Sequence, residues 1–415
     1  MLSAEKLLPL QSRTHSKYHT MNISDRSVKM PSSPIRKLAP FADEARRKGI
    51  KIYSLNIGQP DIPTPQCALD AIKNIDRNIL DYSPSQGNLS LRTKMAGYYA
   101  EYGIKLSPDE IIITTGGSEA VLFAFLACLN PGDEVILTDP SYANYLSFGI
   151  TCGAVVKSVK TNISDGFRLP PVEEFEKQIT PRTKAILICN PNNPTGYLYT
   201  REEMQQIRDL VKKYDLFLFS DEVYREFIYN GQPYISAMHL DGIEENVILI
   251  DSVSKRYSEC GIRIGAIITH NAEVRAAVMK YCQARLSPPL IGQIIAEASI
   301  DTPKSYLKQV FDEYKARRDF LIEGLNKIPG VYSPMPMGAF YTVASLPVPD
   351  SEDFCRWCLT DFSYKGQTIM MAPAAGFYTN PEDGRNQVRI AYVLEREELA
   401  KALEVLAKAL ETYQK

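Results

Sequence analysis

From residue 109 to about 270, short apolar runs rich in β-branched residues alternate with stretches of helical spacing. The strand-like runs fall near 110–115, 134–138, 154–159, 184–189, 216–220, 247–251 and 263–269. Helical spacing fills 118–129, 200–213 and 271–285, and the second of these opens Thr200-Arg201-Glu202-Glu203, an N-cap followed by first-turn acids. Strands that are almost continuously apolar are covered on both faces, so this stretch predicts an α/β fold: a mainly parallel seven-stranded sheet sandwiched by helices.

The flanks read differently. A short helix around Pro40 at 34–48 precedes an alternating, strand-like stretch at 51–58, which ends in the turn Gly58-Gln59-Pro60-Asp61. Helices at 66–75 and 89–102 enclose a loop with an exposed Tyr82. A long helical pattern runs from about 292 to Leu325, then strands at 338–343 and 387–393 alternate with helices at 351–363 and 395–412. This is a smaller α+β domain, completed by the segment before residue 66. The expected division is an N-terminal extension at 1–33, the N-terminal part of the small domain at 34–65, the large domain at 66–291, and the C-terminal small domain at 292–415.

Five apolar strands finish in polar or glycine-rich tips. They are Thr115-Gly116-Gly117-Ser118, Asp139-Pro140-Ser141-Tyr142, the run Asn190 to Gly196, Ser220-Asp221-Glu222-Val223-Tyr224, and Ser252-Val253-Ser254-Lys255. Ligands of open α/β sheets bind beyond the carboxyl ends of the strands, so five tips on one edge predict one shared site. Gly116-Gly117-Ser118 opens a helix, where free N–H groups and the dipole favour an anion. Ser252, Ser254 and Arg263 add hydroxyls and a guanidinium, which together make a phosphate cradle beside the Lys255 amine.

Each residue also has a plainer reading when taken singly. The lysine stretch is an ordinary strand end, Gly116 to Ser118 a simple N-cap, and Asn193 a turn former. Tyr142 and Tyr224 are core aromatics, and Asp221 is a carboxylate that needs a cation or donors of some kind. Arg389 stands inside an apolar strand and requires an anionic partner.

Composition narrows the classes. A net charge of −2 gives no electrostatic case for nucleic acid or an anionic membrane. The longest apolar run, Ala120 to Leu129, falls well short of the roughly 20 residues of a membrane helix. Eight cysteines scattered through apolar segments read as reduced thiols of a cytoplasmic protein. Cys355 and Cys358 form a lone CxxC without a second pair, and with four histidines no metal is expected. Residues 1–20 lack the apolar core of a secretory signal; Met21 is an alternative start, and an organelle transit peptide is the other reading.

Together, NP-x-NPTG at Asn190 to Gly196, SDEVY at Ser220 to Tyr224, S-x-SK at Ser252 to Lys255 and G-x-R-x-G at Gly261 to Gly265 resemble the class I/II aminotransferases. These are fold-type-I, pyridoxal 5′-phosphate-dependent enzymes of the aspartate aminotransferase family. The resemblance runs from Gly58 to Arg389. It implies that Lys255 carries the cofactor as a Schiff base and shuttles a proton, and that Asp221 pairs with the pyridine nitrogen. Tyr224 and Asn193 would bond the phenolic oxygen, and Tyr142 would stack on the ring. Gly117, Ser118, Ser252, Ser254 and Arg263 would hold the phosphate, with Tyr82 reaching across from a second subunit of a homodimer that shares its active sites. Arg389 and the backbone near Gly58 would hold the substrate α-carboxylate.

Transfer of an amino group between an L-amino acid and a 2-oxo acid is the implied activity, with aspartate or a related amino acid the leading donor. Arg285 is the candidate for a distal carboxylate, and equally a helix-end arginine; Phe340 and Tyr341 suit an aromatic or aliphatic pocket. A lyase of the same family, cleaving C–S bonds or forming aminocyclopropane-carboxylate, is the alternative activity. A non-catalytic sensor is more remote, because residues 1–33 are too short for a DNA-binding domain. The S-x-x-K of serine acyl-transferases also occurs at Ser252 to Lys255, without the S-D-N and K-T-G that should accompany it.

Overall fold

The computed structural model describes residues 22–413; the readings of residues 1–20 and of Met21 as a start lie outside the described residues. The first strand, β1 (Lys51–Ser54), stops four residues short of the strand-like stretch at 51–58. Beyond Ser54 the chain turns its polar groups to other partners: Asn56 Nδ2 donates to the Ile35 carbonyl at 2.8 Å.

Seven strands form the central sheet: β2 (Ile111–Thr114), β3 (Glu134–Asp139), β4 (Val155–Lys160), β5 (Thr183–Cys189), β6 (Phe217–Asp221), β7 (Val247–Ser252) and β8 (Gly265–Ile268). Their order is β2-β8-β7-β6-β5-β3-β4. The pairings among β3 to β7 are parallel, and β8 is antiparallel to both neighbours. Since β2 and β7 both oppose β8, all six other strands point the same way. Helices Gly116–Cys128 and Ala272–Arg285 cover one face and Arg201–Tyr214 the other, which explains why the strands carry unbroken apolar runs.

The remaining strands are β9 (Tyr341–Ser345), β10 (Gln367–Met370), β11 (Ala372–Pro373) and β12 (Gln387–Ala391). A three-stranded antiparallel sheet runs β11-β12-β9, and β1 pairs in parallel with β10, so residues before 66 join the C-terminal unit. The helical pattern from 292 resolves into two helices, Leu290–Ile300 and Lys304–Asn326. Pro303 stands as N-cap between them, where its ring has no N–H to continue the first helix. Helix Ser351–Thr360 carries Cys355 and Cys358 into the core, where burial pushes both thiols up. No group of three or more His, Cys, Asp or Glu side chains suited to a metal occurs among the described residues, and no helix among them is long and apolar enough to cross a membrane.

Candidate active site

The carboxyl ends of β2, β5, β6 and β7 converge on a cavity of about 820 Å³, lined in part by Gly117, Ser118, Asn193, Asp221, Tyr224 and Lys255. Strand direction explains how Arg263 joins them. Because β8 is reversed, its first residue, Gly265, pairs with Thr114 and with Ser252, the last residues of β2 and β7. The residues just before Gly265 therefore emerge on the same edge as the tips. An added Cβ on Gly265 would stand 2.5 Å from the Gly116 carbonyl carbon and 2.7 Å from the Gly117 nitrogen. Only glycine lets these backbones approach so closely. Arg263 itself holds a left-handed φ of 58° and lays its guanidinium over Gly116.

Helix Gly116–Cys128 begins without a side-chain cap on its N-terminal N–H groups. Ser252 Oγ accepts from the Ser254 N–H at 3.2 Å and lies 2.9 Å from the Ile264 carbonyl. Hydroxyls, free N–H groups and Arg263 thus face one corner of the cavity.

Asp221, at the end of β6, is buried. Its Oδ2 accepts from Tyr145 Oη at 2.7 Å and its Oδ1 from the Val223 N–H at 3.3 Å. Burial pushes its carboxyl up to about 6, with those two donors offsetting only part of the effect. Asn193 Nδ2 stands 3.4 Å from Tyr224 Oη, which lies 3.1 Å from Tyr341 Oη. Tyr142 forms an edge-on pair with Tyr145 at 5.3 Å. Lys255 Nζ donates to the Gly58 carbonyl at 2.9 Å and lies 3.5 Å from Cys260 Sγ. An added Cβ on Gly58 would fall 1.8 Å from Tyr341 Oη, so this position accepts no side chain.

Arg389, in the middle strand of the small sheet, is 1% exposed. One nitrogen donates to Asn193 Oδ1 at 3.1 Å and another to the Asn56 carbonyl at 2.5 Å, while Nε has no partner. Rings of Tyr341 and Phe377 lie 4.6 and 5.0 Å from the guanidinium carbon. Burial lowers its pKa, because no carboxylate offsets the lost hydration.

Two sequence candidates lie elsewhere in the chain. Tyr82 is 78% exposed and does not line the cavity. Arg285 is also outside it, paired with Glu119 at 3.0 Å and bonded to the Ser85 carbonyl at 3.2 Å. Two residues that pattern reading passed over, Tyr145 and Asn56, are part of the arrangement, together with Tyr341, which the sequence offered as a pocket wall. Tyr145 supports Asp221, and its spacing from Tyr142, one helical turn, was the available signal. Tyr341 fills the gap beside Gly58, and Asn56 was visible as an amide inside an apolar run.

A model of the family described as aminotransferase class I and II matches residues 50–406. The chain belongs to the class I and II aminotransferases. Among the relatives of this aminotransferase is a probable aspartate/prephenate aminotransferase from Thermus aquaticus, 31% identical over 394 residues, covering 94% of this chain and 99% of the relative. Aromatic-amino-acid aminotransferase 2 from Thermococcus litoralis is 31% identical, covering 94% and 98%. The solved structure of aspartate aminotransferase from Thermus thermophilus with maleate superposes with a TM-score of 0.86 at 30% identity, over 94% of this chain and all of that one. Aminotransferases of this family move an amino group between an amino acid and a 2-oxo acid and depend on pyridoxal 5′-phosphate.

The residues present fit that group. Asp221, Lys255, Arg263 and Arg389 all line one cavity, and none forms an ion pair among the described residues. Just behind the cavity, by contrast, Asp251 bonds Arg256 at 2.9 Å. A cavity in which these four charged groups are left without charged partners is arranged for a ligand that carries their complements.

Proposed function

We propose that this aminotransferase holds pyridoxal 5′-phosphate in the cavity and uses it to move the amino group of an L-amino acid, aspartate or a related one, to a 2-oxo acid. The four unpaired charged groups are the observation that carries the reading. Lys255 would be the covalent anchor. The Gly116-Gly117-Ser118 turn, Ser252, Ser254 and Arg263 would take the phosphate, each charge-assisted hydrogen bond contributing about 1.5–3 kcal/mol. Tyr142 would lie against the ring, and Asn193 and Tyr224 at its phenolic oxygen.

When bound, the cofactor supplies an electron-withdrawing ring conjugated to the substrate nitrogen, which acidifies the Cα–H bond. Asp221 holds the proton at the pyridine nitrogen, and a cation beside this buried carboxylate relieves the penalty that raises its pKa. Lys255, besides anchoring the group, would supply the amine that moves the proton at the substrate Cα; a positioned base of this kind contributes about 10²–10⁴-fold. Arg389 orients the substrate by taking the α-carboxylate in its fork, with Asn193 and Asn56 fixing two of its nitrogens.

A homodimer completes the reading. Ile79, Leu80, Tyr82, Leu89 and Leu286 are all exposed. Ser83 and Ser85 bond the carbonyls of Pro288 and Leu286 at 3.2 and 2.6 Å, which joins the two segments into one apolar face. A second copy on that face would bring its Tyr82 toward the phosphate corner. A cytoplasmic place is the reading that eight free cysteines support.

Borohydride reduction tests the anchor. The protein should carry a visible chromophore that reduction fixes to Lys255, and Lys255→Ala should lose both chromophore and amino transfer while still folding. A reducible adduct on another lysine would remove the assignment.

A further inference from the structure

The cavity contains one more arginine, Arg36, which none of the roles above uses. It sits in a turn fixed at several points. The Arg36 N–H donates to the Ser33 carbonyl at 3.1 Å, and Leu38 is buried. Pro34 packs so closely on Gly376 that an added Cβ there would lie 2.8 Å away. The next side chain, Lys37, is committed outside the cavity to Glu352 at 2.5 Å. Arg36 instead lines the cavity mouth beside Tyr142, exposed, with no side-chain hydrogen bond or ion pair among the described residues.

Asn56 ties this turn to Arg389. Its Nδ2 donates to the Ile35 carbonyl at 2.8 Å, and its own carbonyl accepts from Arg389 at 2.5 Å. One residue therefore sets both the buried arginine and the turn carrying the arginine at the mouth. A ligand with one carboxylate needs only Arg389. A short ligand with two carboxylates finds a second guanidinium at the entrance, carried on a fixed turn and free to pair. Arg285 offers no competing site in this chain's cavity, since it lies outside the lining and Glu119 and two carbonyls occupy both its terminal nitrogens.

We propose that Arg36 is a specificity-determining residue that pairs with the side-chain carboxylate of a dicarboxylic amino acid. This deepens, and rests on, the reading in which Arg389 takes the α-carboxylate. Because Arg36 lies at a wet mouth, it can keep its hydration when a neutral side chain enters. Acidic donors are then preferred without neutral ones being shut out, unlike a buried arginine, which would reject them strongly.

The test uses the cofactor-loaded enzyme with pyruvate as acceptor, so that only the donor has a second carboxylate. Substituting Arg36→Gln should lower the ratio of kcat/KM for aspartate and glutamate over that for alanine and phenylalanine by about 10–100-fold, mainly through KM. Arg36→Lys should restore part of it. An unchanged ratio overturns the proposal. Calorimetric binding of succinate against butyrate is independent of turnover: the parent should prefer succinate, and Arg36→Gln should erase the preference. No preference in the parent, or one that survives the substitution, also overturns it. If the protein neither takes up the cofactor nor transaminates, the functional reading fails by itself, while the succinate comparison still decides the role of Arg36.

Discussion

Two buried carboxylates at neighbouring strand ends show how partners set chemistry at the scale of a residue. Burial pushes both upward, yet Asp251 is held down at about 2 because Arg256 and Arg225 outweigh it. Asp221 has only a hydroxyl and an N–H, and stays at about 6. The sign of the resulting pH dependence follows directly. An unfolded aspartate loses its proton near pH 4, so between pH 4 and 6 the cofactor-free fold binds more protons than the unfolded chain, and stability falls as pH rises. Ionised Asp221 then costs at most about 3 kcal/mol. Cofactor-free Asp221→Asn should therefore melt at a higher temperature than the parent at pH 7.5, the two curves converging near pH 4. With cofactor, the same variant should lose about 10²-fold or more in kcat, since it cannot counter a charged ring nitrogen. Equal melting temperatures at pH 7.5 would mean that burial is not what holds Asp221 up.

At the scale of elements, the start of helix Gly116–Cys128 matters most. Glu119 Oε2 accepts the Thr115 N–H at 2.7 Å and Arg285 at 3.0 Å, so Arg285 steadies the turn that presents Gly117 and Ser118. Arg285→Gln should destabilise the fold by about 1–3 kcal/mol in denaturant melts and weaken cofactor binding. The preference for acidic over neutral donors should stay with the parent; a shifted preference would return Arg285 to the side-chain carboxylate.

At the scale of the whole molecule, the cavity lies where the edge of the seven-stranded sheet meets the small unit that carries Arg389, Gly58 and Arg36. In the homodimer proposed above, the exposed apolar face around Tyr82 would receive a second copy that completes each site. Chains carrying Lys255→Ala and Tyr82→Ala, co-expressed, should then yield hybrids with more activity than the two parents' average. In such a hybrid one site keeps its own Lys255 and receives Tyr82 from the partner. Activity no greater than that average would place Tyr82 outside the neighbouring site.

Local chemistry was legible along the chain. Strand–helix alternation, the five polar strand tips and an arginine inside an apolar strand are properties of neighbouring residues, and each predicted its element or its need for a partner. Boundaries were less so: the strand ending at Ser54 and the break at Pro303 depend on which side chains meet once the chain is packed. Only the tertiary structure reverses β8, and that reversal brings Arg263 back to the edge where Lys255 stands. It also decides which charges are spent and which stay free. Arg285 looked available and is engaged by Glu119, whereas Arg36, with no distinguishing pattern around it, lines the cavity unpaired. Sequence spacing specifies what a side chain can do; burial and distance to a counter-charge, which arise only on folding, specify what it is left to do.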